Sequence, residues 1–151
     1  MKHVAIAIDG PAGAGKSTMA RACAKALGYL YVDTGAIYRT VGYYMRLMGI
    51  GPKDRDGIAR LIDEVNIEIR YEDGVQHMIL NGTDVTDEIR TPEMSMYASG
   101  VSAQPCVRAF LLDMQRELAR TQNVVMDGRD IGTVVLPNAQ VKIFLTADVR
   151  V

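Results

Sequence analysis

Gly10-Pro-Ala-Gly-Ala-Gly15-Lys16-Ser17 fits the pattern G-x-x-x-x-G-K-[ST] of phosphate-binding loops, and this stretch decides the fold. The segment His3 to Asp9 before it is typical of a short buried strand. Lys16 to Leu27 after it is typical of a helix closed by Gly28. A strand, a glycine loop and a helix N-terminus present backbone N–H groups and the positive end of the helix dipole to an anion. The sequence therefore predicts a loop for nucleotide phosphates, and a glycine-rich turn without a ligand is the disfavoured alternative.

The glycines, the lysine and the serine of this loop are each suited to binding phosphate or Mg²⁺. Gly10, Gly13 and Gly15 permit close approach of phosphate oxygens to the backbone. Lys16 can hold the β- and γ-phosphates, and the hydroxyl of Ser17 can ligate Mg²⁺.

The composition indicates an ordinary globular protein. The 151 residues suffice for one domain, with 48% hydrophobic and 23% charged residues. A net charge of −1 gives no sign of a nucleic-acid or membrane surface. We expect no signal peptide and no membrane span, and hence a cytoplasmic protein, because Met1-Lys-His leads directly into the first strand. Cys23 and Cys106 match no metal or redox spacing and are interpreted as inert thiols.

The order of predicted elements indicates the α/β class. Apolar strands alternate with helical patterns, and a hairpin with period-two alternation interrupts them. Thr34 is the expected N-cap of the second helix, and Thr91-Pro-Glu93 opens a later one. Helices are predicted at 16–27, 35–48, 55–66, from 92 and at 105–121, parallel strands at 3–8, 29–32, 123–126 and 141–145, and antiparallel strands at 66–71, 76–80 and about 84–85.

Two further polar clusters follow predicted strands. Asp33-Thr-Gly-Ala-Ile-Tyr38-Arg39 follows the second strand, and Asp127-Gly-Arg129-Asp130 follows a later one. Because loops at the carboxyl ends of parallel strands face the ligand crevice, these side chains are candidates for binding phosphate and Mg²⁺. Simpler interpretations are helix capping for Thr34 and a solvated ion pair for Arg129 with Asp130.

Together these motifs resemble the bacterial cytidylate kinases, nucleoside monophosphate kinases that transfer a phosphoryl group from ATP to CMP or dCMP. The resemblance rests on I-D-G-P-A-G-A-G-K-S-T from Ile8, on D-T-G-A-x-Y-R from Asp33 and on G-R-D-I-G-T from Gly128. It also includes Ala98 to Arg108, followed by Leu111-Leu112 and Gln115-Arg116. It implies a P-loop NTPase three-layer fold with a parallel sheet. The predicted organisation is a core of 1–50 and 91–151 with an antiparallel monophosphate-binding insert at about 62–90.

The resemblance also implies roles for individual residues. ATP phosphates would be held by Gly10, Pro11, Ala12, Gly13, Ala14, Gly15, Lys16, Ser17 and Thr18. The catalytic candidates are Lys16, Asp33, Arg39 and Arg129, and the Mg²⁺ candidates are Ser17 and Asp127. The acceptor phosphate would be surrounded by Asp33, Thr34 and Arg39, with Tyr38 packed beside it, and Arg129 would bind it near the transferred group. The cytosine edge would be read by Ser99, Arg108 and Asp130. The implied partners are ATP, CMP or dCMP and Mg²⁺, and we expect a monomer.

One departure from the family is the length of the chain. The family continues past the equivalent of Val151 with arginine-rich segments, a lid and a last strand and helix. We therefore expect a truncated chain that catalyses weakly, because arginines of this kind stabilise the transferred phosphoryl group. Two alternatives stay open: a non-catalytic nucleotide-binding fragment and a switch GTPase. The GTPase is disfavoured because Asp54-Arg-Asp-Gly57 follows no strand and no N-K-x-D motif occurs.

Overall fold

The computed structural model describes residues 3–11, 15–72, 75–128 and 130–146. Its helices and strands begin close to the positions that the sequence indicates. In chain order they are β1 (Ala5–Asp9), α1 (Lys16–Leu27), β2 (Leu30–Asp33), α2 (Thr34–Leu47), α3 (Arg55–Leu61), β3 (Ile67–Glu72), β4 (Val75–Leu80), β5 (Thr83–Asp84), α4 (Pro92–Ser102), α5 (Pro105–Thr121), β6 (Val124–Gly128) and β7 (Val141–Phe144). The chain divides into a first unit, Met1–Thr34 with Met114–Val151, and a second unit, Gly35–Asp113.

The first unit is built on a parallel sheet with the strand order β2-β6-β1-β7. The strands β1, β2 and β6 are apolar runs rather than alternating ones, as expected for strands buried on both faces, whereas β7 at the edge is mostly exposed. Ile6, Ile8 and Val125 of the sheet pack with Ala20 and Ala24 of α1. The two small alanines let the helix lie close to the sheet, so the start of α1 is held at the strand ends.

The second unit contains α2, α3, α4 and a three-stranded antiparallel sheet in the order β3-β4-β5. In the β3–β4 pair the register runs from Ile67 opposite Leu80 to Glu72 opposite Val75. Alternation in β3 leaves its side chains half-buried or exposed, whereas the end of β4 is buried from Met78 to Leu80. The α/β class, the parallel sheet and a small antiparallel sheet are confirmed.

Three expectations from the sequence are corrected. The helix predicted over 55–66 ends at Leu61 and continues as a 3₁₀ turn over Ile62–Glu64. Thr34 is the first residue of α2 rather than the residue before it, and its hydroxyl donates to the Asp127 carbonyl. The short third strand of the insert covers Thr83–Asp84 rather than Asp84-Val85.

The predicted core of 1–50 and 91–151 and the insert of about 62–90 stay predictions, since the two units have other boundaries. The antiparallel sheet lies within the second unit. None of the helices in the described ranges combines the length and apolar character that crossing a membrane requires.

Candidate nucleotide site

Carboxylates stand at the carboxyl ends of three adjacent strands of the parallel sheet. Asp9 ends β1, Asp33 ends β2, and Asp127 is the penultimate residue of β6. The sheet register places Asp33 opposite Asp127 and Asp9 opposite Gly128. The first residues of the two predicted polar clusters, Asp33 and Asp127, are therefore neighbours at one edge of this sheet.

Asp127 is the centre of a hydrogen-bonded network at this edge. Its side chain is buried, with only 3% of the residue exposed. Ser17 Oγ donates to Asp127 Oδ2 at 2.8 Å, and the Tyr31 hydroxyl donates to Asp127 Oδ1 at 3.1 Å. Thr34 Oγ1 donates to the carbonyl of Asp127 at 3.0 Å. The network joins the start of α1, the strand β2 and the strand β6.

Burial dominates the electrostatics of the network. It raises the pKa of Asp127, and the neighbouring Asp33 carboxylate adds to that rise, while the Ser17 hydrogen bond opposes it. Burial together with the Asp33 and Asp127 carboxylates also raises the pKa of Tyr31, which therefore stays a neutral donor. A buried carboxylate with a raised pKa gains most from a cation placed beside it.

The donor set at this point suits Mg²⁺. Mg²⁺ prefers hard oxygen ligands and is commonly bound through one or two protein groups together with phosphate oxygens and water. Ser17 supplies a hydroxyl oxygen and Asp127 a carboxylate oxygen, and the two are already in contact. The residues present therefore fit the metal that the sequence analysis expected.

The described part of the phosphate loop has the backbone that its motif requires. Gly15 precedes α1 in the left-handed conformation, with a φ of 84°, and a side chain there would be strained. At Gly10 a Cβ would collide with the carbonyl oxygen of Leu145, so only glycine fits that approach. Lys16 and Ser17 are half-buried, and Thr18 and Pro11 are exposed. The predicted phosphate contacts of Ala12, Gly13 and Ala14 lie outside the described residues.

A separate pocket of about 230 Å³ lies in the second unit, between α2 and α4. It contains three of the residues predicted to bind the acceptor, and the others that line it are small or carry hydroxyl groups. The lining residues are Gly35, Tyr38, Arg39, Ser95, Ala98, Ser99 and Ser102. A guanidinium and several hydroxyls around a small open pocket are suited to a phosphate or a polar ring.

Two glycines of the second unit lie in close contacts that leave no room for a side chain. A Cβ at Gly42 in α2 would lie 2.8 Å from Tyr97 Cβ in α4, which is closer than side chains pack. A Cβ at Gly100 in α4 would lie 2.7 Å from Pro52 Cβ. Glycine is needed at both positions because of this close approach, and at Gly42 it allows close packing of α2 against α4, the two helices that line the pocket.

Arg108 also belongs to the surroundings of this pocket. Burial raises the pKa of Tyr38, and the positive charge of Arg108 opposes that rise. Arg108 lies on α5, and its side chain is exposed. The second unit therefore contains four residues predicted from two separate sequence segments, namely Tyr38, Arg39, Ser99 and Arg108.

Two predicted acceptor residues follow β6. Asp130 is exposed and adopts a left-handed backbone with a φ of 63°. Arg129 lies outside the described residues, so its predicted role stays a prediction.

Several residues at these positions are not among the predicted site residues. Ser95 and Ser102 line the pocket with Ser99, and their spacing of i, i+4 and i+7 along one helix is a signal that could have identified them. Tyr31 is predicted only as part of a short strand, although its hydroxyl donates to Asp127. A tyrosine in a buried strand usually needs a hydrogen-bond partner, which points to a polar neighbour.

Comparison with known proteins agrees with this arrangement. The family model described as cytidylate kinase matches residues 6–151. The chain belongs to the cytidylate kinase family. The match includes the phosphate loop, Asp33 to Arg39, the pocket-lining part of α4 and Asp127 to Asp130.

Curated relatives of the chain carry the same family name. A cytidylate kinase of Caldicellulosiruptor bescii is 55% identical over 97% of this chain. Those of Carboxydothermus hydrogenoformans and Oceanobacillus iheyensis are 53% and 47% identical, over 94% and 99% of it. The chain spans 65% of the length of the Caldicellulosiruptor bescii and Oceanobacillus iheyensis proteins and 64% of the Carboxydothermus hydrogenoformans protein.

Proposed function

We propose that the protein is an ATP-dependent cytidylate kinase, which transfers the γ-phosphoryl group of ATP to CMP or dCMP and releases ADP with CDP or dCDP. The observation that carries this proposal is the contact of Ser17 with the buried Asp127, directly after a phosphate-binding loop, in a chain of this family. The non-catalytic fragment and the GTPase considered from the sequence have no comparable support.

On the donor side, the chain supplies positive charge and fixed backbone groups. Gly10 to Thr18 would hold the phosphates of ATP, with the Lys16 ammonium group directed at the β- and γ-phosphates. Ser17 and Asp127 would hold Mg²⁺, which neutralises phosphate charge when it is bound. Asp33 is adjacent to Asp127 and would help to orient the groups around the acceptor.

On the acceptor side, the second-unit pocket suits a nucleoside monophosphate. Arg39 would bind the acceptor phosphate as a fork, with Thr34 and Tyr38 beside it and with Arg129 contributing a second fork. Ser99, Arg108 and Asp130 would read the cytosine edge. A donor, an acceptor and a cationic fork are the groups that cytosine N4, N3 and O2 require.

The remaining expectations belong to the same proposal. The enzyme would work as a monomer in the cytoplasm, with no nucleic-acid or membrane partner. The free thiols of Cys23 and Cys106 suit a reducing compartment. The 151-residue chain would be weakly active, and a form extended to the length of the relatives would be fully active.

The test is ADP release from ATP on addition of CMP. We expect CMP-dependent ADP release from both forms, faster in the extended one, and stoichiometric formation of CDP in product analysis. ATP binding without CMP-dependent turnover in the extended form would contradict the kinase and support the nucleotide-binding alternative. Stronger binding of GTP than of ATP would support the GTPase.

A further inference from the structure

Asp9 makes two contacts that the phosphate-loop motif does not account for. Its Oδ1 accepts a hydrogen bond from the backbone N–H of Ile131 at 2.7 Å, and its Oδ2 accepts one from Gly132 at 2.8 Å. Both bonds are charge-assisted, and both lie within the normal range for strong bonds of this type. Asp9 is half-buried, and its backbone is fixed in β1 between β6 and β7.

The two amides belong to the start of a π-helical turn over Ile131–Val135. The first N–H groups of any helical turn have no partner within the turn, so an acceptor must come from elsewhere. The Asp9 carboxylate supplies both acceptors. At Gly132 a Cβ would lie 3.3 Å from Asp9 Oδ2, which shows how closely the carboxylate fits against the turn.

Arg116 holds the other end of the same turn. Its Nε and Nη2 donate to the carbonyls of Val135 and Val134, both at 3.0 Å. A short π turn is intrinsically unfavourable and is uncommon outside functional positions. One carboxylate and one guanidinium therefore fix a turn whose own five residues would not specify it.

The turn determines the backbone of Asp130. The Asp130 carbonyl accepts from Val134 N at 2.9 Å and from Val135 N at 3.1 Å, so Asp130 is tied to the far end of the turn. Its φ of 63° lies in the left-handed region, which costs free energy for a residue other than glycine. The backbone conformation of Asp130, from which its side chain projects, is therefore tied to a turn that Asp9 and Arg116 hold at its two ends.

We propose that Asp9 is a positioning residue, which holds the Ile131–Val135 turn and thereby orients Asp130 toward the acceptor nucleotide. The inference rests on the proposed function, since it takes Asp130 as a reader of the acceptor base. Asp9 itself contacts neither substrate in this account. Asp9 thus has two roles. Its backbone leads into the phosphate loop, and its carboxylate holds the Ile131–Val135 turn that follows Asp130.

The test is Asp9→Asn in a protein of the relatives' length. Asparagine keeps the size of the side chain but places an NH₂ group against one of the two amides. We expect KM for CMP to rise by about tenfold, as the loss of a charged hydrogen bond implies, with KM for ATP changed by less than about twofold. Arg116→Met removes the anchor at the other end and should also raise KM for CMP more than KM for ATP.

Amide hydrogen exchange provides a readout that does not depend on activity. Exchange at Ile131 and Gly132 should accelerate in Asp9→Asn, while exchange in α1 stays as in the wild type. The matched control is Asp54→Asn, because Asp54 also caps a helical turn, by accepting from Gly57 N at 3.0 Å. This control should lower the melting temperature and leave both KM values unchanged.

The outcomes separate the two proposals. Faster exchange at Ile131 and Gly132 with unchanged KM for CMP would overturn the positioning role and leave the kinase intact. Unchanged exchange would overturn the proposed anchoring directly. A wild-type protein that phosphorylates no CMP would contradict the proposed function and with it the role of Asp130, even if the exchange result showed that Asp9 holds the turn.

Discussion

The two regions assigned to nucleotides differ in how they are built. Around Asp127, a buried carboxylate is surrounded by hydroxyl donors from a helix and a strand, and its pKa is raised by burial. The second-unit pocket is open and is lined by hydroxyls and one guanidinium on the faces of two helices. In the first region, the buried Asp127 carboxylate is energetically unfavourable without a cation. In the second, the hydroxyl and guanidinium groups can form hydrogen bonds with water.

The difference indicates that the first region contributes to catalysis and the second to substrate selection. A buried, preorganised carboxylate is suited to fixing charge in one place during phosphoryl transfer, where positioning and electrostatics supply most of the catalysis. An open hydroxyl-lined pocket is suited to selecting a substrate by its hydrogen-bonding pattern. Substitutions in the first region should therefore reduce kcat, and those in the second should change KM and selectivity.

The largest effect is expected from Lys16→Ala. Loss of the ammonium group directed at the β- and γ-phosphates should lower kcat by about 10²–10³-fold, with little change in the melting temperature. Steady-state ADP release and thermal unfolding measure the two quantities. Lys25→Ala is the matched control, because Lys25 is exposed in the last turn of the same helix. Equal losses in both variants would contradict the phosphate-loop assignment.

In the first region, Asp127→Asn should lower kcat without lowering the stability of the fold. The pKa of Asp127 is raised in the folded protein, so its stabilising contribution is present when the carboxyl is protonated and is lost as the pH rises through the raised pKa. The ionised form therefore favours the fold less than the protonated form does. We expect Asp127→Asn to keep or raise the melting temperature at pH ~7, while kcat with Mg²⁺ falls by about 10²-fold. A large loss of stability with unchanged kcat would reverse this interpretation.

Base selectivity tests the acceptor side. Cytosine offers an N4 amine and an N3 acceptor, whereas uracil offers an O4 acceptor and an N3 donor. A mismatch that the bound base shields from water costs about 1–3 kcal/mol, so kcat/KM for UMP should be at least about tenfold below that for CMP. Arg108→Met should reduce this ratio, and Arg60→Met, a change at an exposed arginine of α3, should leave it unchanged. Parity between UMP and CMP in the wild type would show that these residues do not read the base.

The smallest effect is expected from Gly42→Ala. Alanine normally favours a helix over glycine, but a Cβ here would lie 2.8 Å from Tyr97 Cβ and separate α2 from α4. Overpacking of this kind costs about 1–3 kcal/mol of unfolding free energy, and KM for CMP should rise a few-fold through the altered pocket. Gly51→Ala is the control, because a Cβ there meets no atom within 4 Å. A more stable Gly42→Ala protein would contradict the close packing.

Local signals in the sequence predicted much of the fold. Gly28 ends α1 in the left-handed conformation with a φ of 70°, as its position after the apolar pattern indicates. Thr91 caps α4 by accepting from Met94 N at 3.3 Å, and Pro105 begins α5. Each of these features depends on one residue and its immediate neighbours, so it is visible in a short window of sequence.

Features that depend on distant residues could not be predicted in this way. The π turn of Ile131–Val135 is held by Asp9, which is 122 residues away from Ile131 in the chain, and by Arg116. The pocket lies between α2 and α4, which pack closely at Gly42 against Tyr97. The end of α3 at Leu61 could not be read from periodicity, because a 3₁₀ turn continues a similar pattern.

The phosphate loop is proposed to bind ATP and the second-unit pocket to bind CMP. Amide resonances of the isotope-labelled protein test this assignment residue by residue. A non-hydrolysable ATP analogue with Mg²⁺ should shift the resonances of Gly15 to Thr18 and of Asp127. CMP added afterwards should shift those of Tyr38, Arg39 and the Ser95–Ser102 face. Saturating CMP that shifts only the phosphate-loop resonances and leaves 95–102 unchanged would contradict the account.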